Sequence, residues 1–209
     1  MAYRETEKMR QRKAAVRQKI TDCTYRCVAE GGFRNAKVTR IARMADVATG
    51  TIYRHFDSKE DLFAEIFRRA TQHEVNKVAD ALAPPGDARE RLERALRRFA
   101  ERALEGPVMA WSLIAEPVDP KVEKERLAYR KAYADLFEQA IREGIEEGCI
   151  PDQNTRQSST CLVGAVSESL VGPLSPSQTG QITTDKTDNN PLVDTIIRFC
   201  IQGLTGTRR

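Results

Sequence analysis

The apolar positions recur at steps of three and four along nearly the whole chain, the spacing that puts them on one face of an α-helix. Val16, Ile20, Cys23 and Cys27 give the first such stripe, with Arg and Lys between them, and Gly31-Gly32 is expected to stop that helix. Val38, Ile41 and Ala42 mark a short second helix, with a break near Asp46-Val47 and another short helix at about 49–55. Ser58 followed by Asp61 reads as a helix cap, opening a stripe of Leu62, Phe63, Ile66, Phe67 and Ala70 that continues toward Leu82. Pro84-Pro85-Gly86 ends it, and Asp87 with Glu90 starts the next helix, built on Leu92, Leu96, Phe99 and Ala103 and closed by Gly106-Pro107. After the apolar segment VMAWSLIA, Asp119-Pro120 is a favourable helix entry, because proline at the first helical position gives up no hydrogen bond. That helix carries Leu127, Tyr133, Leu136, Phe137, Ala140, Ile141 and Ile145 as far as Gly148. Pro151-Asp152 leads into SSTCLVGAVSESLVG, residues 173–190 are polar and turn-rich and are expected to be mobile, and a last helix runs from Pro191 to about Leu204. The pattern predicts an all-α protein of about nine helices, with no strand and no internal repeat.

Two short helices joined by a tight turn and braced by a longer first helix form a helix-turn-helix unit. Its small core is expected to hold Val38, Ile41, Ala42, Val47, Ile52 and Phe56. The chain then divides into an N-terminal DNA-binding domain, 1–60, and a C-terminal domain, 61–209. Within the first, residues 1–13 carry Arg4, Lys8, Arg10, Arg12 and Lys13, and read equally as a disordered arm reaching DNA or as a solvated tail. Residues 49–55 become the recognition helix, presenting Thr49, Thr51, Tyr53, Arg54 and His55. Gly50 leaves room for close backbone approach to a phosphate, at a helix start whose free N–H groups favour an anion. Arg54 can grip guanine through two hydrogen bonds, threonine methyls can touch thymine, and Lys59 lies in the first turn of the next helix, toward a phosphate.

Charge distribution changes the picture more than its total does. The net charge is +4, but residues 1–70 carry a balance of +7 and the remainder a balance of −3. That asymmetry points to a basic unit that meets a polyanion and a second unit with another task. Five cysteines without a C-x-x-C pair argue against a disulfide framework and read as small core residues. No metal set is legible, nor any Gly-rich phosphate loop or nucleophile–base–acid grouping, so neither an enzyme nor a cofactor is expected. The charged N-terminus and the lack of long apolar runs lead us to expect a cytoplasmic protein with no membrane span.

The stretch FRNAKVTRIARMADVATGTIYRHFDSKEDLF resembles the DNA-binding domain of the TetR family of bacterial regulators, most closely at V-x-x-G-T-I-Y-x-H-F-x-S-K-E-x-L, residues 47–62. The resemblance implies a homodimer on a palindromic operator, most often a repressor that leaves DNA when a small organic effector enters the C-terminal domain. A constitutive or activating regulator without an effector stays open beside it. By position the resemblance maps Thr49, Gly50, Thr51, Tyr53, Arg54 and His55 to the recognition helix, with Tyr53, His55 and Lys59 among phosphate contacts; Thr39 joins the expected DNA-binding set. Two residues depart from the family pattern. Ala48 replaces a common capping serine, a loss of about 1 kcal/mol, and Lys37 replaces a threonine and adds a possible phosphate contact. Residues Phe99, Met109, Trp111, Tyr129, Tyr133 and Phe137 lie on helices similar to the family's ligand-binding core and are the expected pocket. The last helix is apolar on more than one face; with the preceding helix it is expected to form a four-helix dimer interface through Leu162, Ala165, Val166, Leu170, Ile197 and Ile201.

Overall fold

A computed structural model describes residues 6–176 and 190–206. Among the described residues there are nine helices and no strand. They are α1 (Glu7–Asn35), α2 (Val38–Ala45), α3 (Thr49–Ile52), α4 (Lys59–Ala81), α5 (Ala88–Glu105), α6 (Pro107–Ile114), α7 (Pro120–Glu146), α8 (Thr155–Leu174) and α9 (Pro191–Thr205). No helix among the described residues is long and apolar enough to cross a membrane.

Helix boundaries follow local chemistry. Ser58 accepts the Asp61 amide at 3.1 Å to start α4, and Asp87 and Glu90 form a reciprocal capping box at α5. Asp119 and Asn190 cap α7 and α9, each followed by proline. Neither Lys37 nor Ala48 supplies a side-chain cap to α2 or α3. The turn between these helices is made by Asp46 in a left-handed conformation, φ 53°, its amide returning to carbonyls of α2.

Three expectations change. The basic segment read as either a disordered arm or a solvated tail is helical from Glu7, because Thr6 accepts the Met9 amide and begins α1 there; Lys8, Arg10, Arg12 and Lys13 are therefore exposed helix residues, and Arg4 lies outside the described residues. Gly31-Gly32 does not end α1 but kinks it: Gly32 takes φ 74° and the chain resumes helical form to Asn35. The segment 173–190 begins inside α8, which runs through Pro173 to Leu174; residues 177–189 lie outside the described residues.

Two apolar cores organise the chain. The first joins α1, α2, α3 and the start of α4 around Ile20, Cys27, Phe33, Ile41, Ile52 and Leu62, with Val38 and Val47 half-buried at its edge. The second joins the rest of α4 with α5 to α9 around Leu92, Leu96, Phe137, Ile141, Leu170 and Ile197. Each fully buried Leu, Ile or Phe side chain contributes about 1.5–3 kcal/mol. Helix α4 serves both, through Leu62, Ile66 and Phe67 at one end and Val75 and Val78 at the other. Val122 of α7 is buried in the first core, which fixes the two units against each other.

Candidate DNA-binding surface and effector cavity

Ile52 and Phe56 are buried, and they anchor the segment between them by its inner side. Thr49, Gly50, Tyr53 and Arg54 are exposed around these anchors, and Lys37 and Thr39 are exposed on neighbouring α2. The recognition element is shorter than the sequence pattern predicts. Helix α3 ends at Ile52, and Tyr53, Arg54 and His55 occupy a hydrogen-bonded turn in which the Arg54 amide meets the Thr51 carbonyl at 3.2 Å and the His55 amide meets the Ile52 carbonyl at 2.9 Å. The uncapped start at Ala48 and the β-branched Thr49, Thr51 and Ile52 give this helix little intrinsic support. Thr51 is half-buried. His55 is half-buried too, with Nδ1 enclosed and unpartnered. Burial first, then Lys13 and Arg17, hold its pKa below the ordinary 6.5. Arg54 forms no ion pair among the described residues, and the Lys59 ammonium rests 4.8 Å above the Phe63 ring. Arg17, which the sequence reading passed over, covers the Phe56 ring at 4.5 Å and grips both oxygens of Glu65.

A cavity of about 550 Å³ opens among α1, α4, α5, α6, α7 and α8, within the range of small-molecule sites. Phe99, Met109, Tyr129 and Tyr133 line it. Trp111 and Phe137 do not. Trp111 lies two positions past Met109, about 200° around α6, and packs against the second core, while Phe137 is 1% exposed inside that core. Phe67, Thr71, Leu113, Arg126 and Ser167 also form its wall; periodicity on single helices does not reveal which faces converge.

Arg126 is the buried cation of this wall. Its donors go to the carbonyls of Leu113 at 3.0 Å, Ser112 at 3.2 Å and Glu116 at 2.7 Å, and to the Glu123 carboxylate. Burial lowers its pKa from the ordinary guanidinium value, and Glu123 opposes that. Glu116, in the α6–α7 connection, is 5% exposed. A pocket anchor or a solvent-facing loop residue is what its sequence position suggests; instead its carboxylate accepts the backbone amides of Phe33 and Arg34, both at 2.9 Å. These are the first free N–H groups after the Gly32 kink. A second link, Lys121 to Asp61 at 2.9 Å, joins the starts of α7 and α4; the Ser58 hydroxyl first, then Lys121, holds the Asp61 carboxyl below its usual range.

The six residues expected at a dimer interface are already used within the chain. Leu162, Val166, Leu170, Ile197 and Ile201 are buried in the second core, and Ala165 is half-buried against it. An apolar helix with two candidate faces does not declare which one its own core takes. The faces left outward carry Cys161, Gly164, Glu168 and Gly172 on α8, and Thr195, Phe199 and Gly203 on α9. Phe199 is 68% exposed, and a Cβ built on Gly164, Gly172 or Gly203 would meet nothing within 4 Å.

A basic helix-turn-helix unit fixed to a larger, hollow helical domain is the architecture of a transcriptional regulator. Residues 20–66 match the family model described as bacterial regulatory proteins, tetR family, and residues 85–185 match the tetracyclin repressor-like C-terminal domain. The chain belongs to the TetR family of transcriptional regulators. It is 22% identical over 188 residues to the fatty acid metabolism regulator protein of Bacillus subtilis, covering 88% of this chain and 93% of that one. It is 29% identical over 140 residues to the transcriptional repressor KstR2 of Rhodococcus jostii, covering 65% and 68% respectively. Among solved structures it is similar to the fatty acid degradation regulator FadR of Bacillus halodurans, with a TM-score of 0.70, 23% identity and coverage of 90% and 98%. A FadR structure from Bacillus subtilis in complex with stearoyl-CoA aligns with a TM-score of 0.68 at 21% identity, covering 90% and 98%. The relatives are named as regulators, not as enzymes.

Proposed function

We propose that this chain is an effector-responsive repressor that binds a palindromic operator as a homodimer. The exposed group Thr49, Tyr53 and Arg54 enters the major groove, with Gly50, Thr51, His55, Lys59, Lys37 and Thr39 at its margin against bases and phosphates. Two-fold pairing through the outward faces of α8 and α9 sets two such groups roughly 34–36 Å apart. Phe199 and the open glycines support that pairing, since small residues let helices approach closely around an apolar centre.

The carrying observation is the continuous path from cavity to DNA-binding unit. Arg126 forms part of the cavity wall and binds the Glu116 carbonyl, and the Glu116 carboxylate holds the end of α1. An effector that binds better when this path is rearranged lowers operator affinity by the same factor by which DNA lowers its own binding. The largely carbon-lined cavity suits an apolar body, and the stearoyl-CoA held by the similar Bacillus subtilis regulator makes acyl-CoA thioesters the first compounds to test. The test is a gel-shift titration of the purified protein on inverted repeats from its own promoter region, with and without stearoyl-CoA and a wider metabolite panel. Operator binding that some compound reverses supports the reading; indifference to duplex DNA at low salt overturns it, and binding that no compound reverses leaves a constitutive regulator.

A further inference from the structure

Five hydroxyl-bearing side chains line the cavity: Tyr25 and Tyr129 are half-buried, and three, Thr71 of α4, Tyr133 of α7 and Ser167 of α8, are buried. All three residues are more than nine-tenths buried, at 5%, 8% and 9% exposure. None of the three hydroxyls makes a hydrogen bond among the described residues, and of the three only Thr71 Oγ1 is itself fully enclosed as well as unpartnered. That is unusual for this chain. Thr21, Thr24, Ser112, Thr160, Thr195 and Thr205 each return their hydroxyl to the carbonyl four residues back, which satisfies it locally. Thr71 and Ser167 are also helical and forgo that bond. Tyr133 is positioned by an edge-on contact with Phe99, ring centroids 4.9 Å apart; burial raises its pKa, so the phenol keeps its proton and can donate.

The charges around the same space are already committed. Arg102 holds both oxygens of Glu74, and Arg126 gives four of its five N–H donors to three carbonyls and Glu123. Glu105 and Arg130 are exposed at the rim. A carboxylate carried past the rim, away from Arg130, would lose its hydration and meet guanidiniums already paired with Glu74 and Glu123, which is costly. An uncharged oxygen is different, because a hydroxyl can both donate to it and accept from it. Buried hydroxyls without a partner also penalise an occupant that offers no polar atom.

We infer that Thr71, Tyr133 and Ser167 form a recognition group for an uncharged oxygen, a carbonyl or a hydroxyl, on an otherwise apolar effector. The inference rests on the effector-cavity reading above and adds the chemistry of the polar group. It is tested by calorimetric titration with decanol, methyl decanoate, decanoate and decane, on the wild type and on Tyr133→Phe, Ser167→Ala and Thr71→Val, each a near-isosteric change. Decanol and methyl decanoate are expected to bind at least about tenfold more tightly than decanoate, and more tightly than decane. Tyr133→Phe and Ser167→Ala each weaken the alcohol and the ester by about 3- to 10-fold and leave decane unchanged. Equal or tighter binding of decanoate overturns the inference, as does an alcohol preference that survives all three substitutions. If all four probes bind alike, the cavity still takes apolar ligands and only the recognition group is refuted. If none binds, the effector-cavity reading falls with it.

Discussion

Replacing Glu116 with glutamine perturbs the join between cavity and DNA-binding unit without removing bulk. The carboxylate accepts two backbone amides at 2.9 Å while 5% exposed. An amide side chain keeps one acceptor oxygen and turns an N–H₂ toward the other backbone N–H, leaving that donor unpaired. A hydrogen bond to a charged group contributes about 1.5–3 kcal/mol, and an unsatisfied buried donor costs about 1–3 kcal/mol. We therefore expect a loss of about 2–3 kcal/mol in unfolding free energy, a fall in Tm of about 4–12 °C for a chain of this length. Hydrogen exchange followed by mass spectrometry places the effect. The amides of Phe33 and Arg34 should exchange about 30- to 100-fold faster, while those in the middle of α7 change only as much as global stability does. Operator affinity should drop as well, and any effector found should then change that affinity by a smaller factor than in the wild type. The reasoning is refuted if Tm falls but operator affinity and effector response both match the wild type, since Glu116 would then be a structural tie only.

Arg54→Ala should cost about 1–3 kcal/mol of operator binding and relax preference at one base position, whereas Lys59→Ala should weaken all sequences alike and lower the salt slope by about one; salt titrations on operator and scrambled duplexes separate the two, and unchanged affinity in both would remove these side chains from the docking surface. Phe199→Glu, on the outward face of α9, should shift the protein from dimer to monomer in sedimentation velocity while leaving helical content intact; a variant that remains dimeric places the interface elsewhere. His55 has a pKa held below 6.5 by burial, Lys13 and Arg17, and an adjacent DNA phosphate would draw it back up. The bound state then holds more protons, so operator affinity should rise as pH falls from about 8 to about 6, and His55→Gln should flatten that rise; parallel profiles would refute the contact. For folding the sign is opposite: the unfolded chain binds the extra proton near pH 6.5, so the His55 contribution is lost as pH falls through that window.

The sequence made the helices legible because burial imposes its period on them, and Ser58, Asp87, Asp119 and Pro191 mark their starts by chemistry that acts over four residues. The family resemblance located the DNA-binding unit, and Ile52 and Phe56 are the buried anchors there. What stayed hidden depends on long-range choices. Helix α3 stops at Ile52 because its uncapped, β-branched sequence gives way to a turn. Leu162 and Ile197 look equally fit for an intrachain core or a partner, and only the packing of α8 and α9 against α5 assigns them to the former. Glu116 reads as a loop acid until the fold brings it to Phe33, far away along the chain. Thr71 and Ser167 carry no local signal at all, since their role comes from a shared cavity.

The kink at Gly32 has a consequence for how regulation in this chain can drift. A Cβ placed there would sit 2.8 Å from both carboxylate oxygens of Glu116, in a φ of +74° that L side chains rarely adopt. Any substitution would thus be punished twice, once by its own backbone and once by dislodging the acid. Under the proposed function, substitutions that tune the response fall on the far side of the contact, at Arg126 and the residues that steer it, while Gly32 stays a fixed hinge.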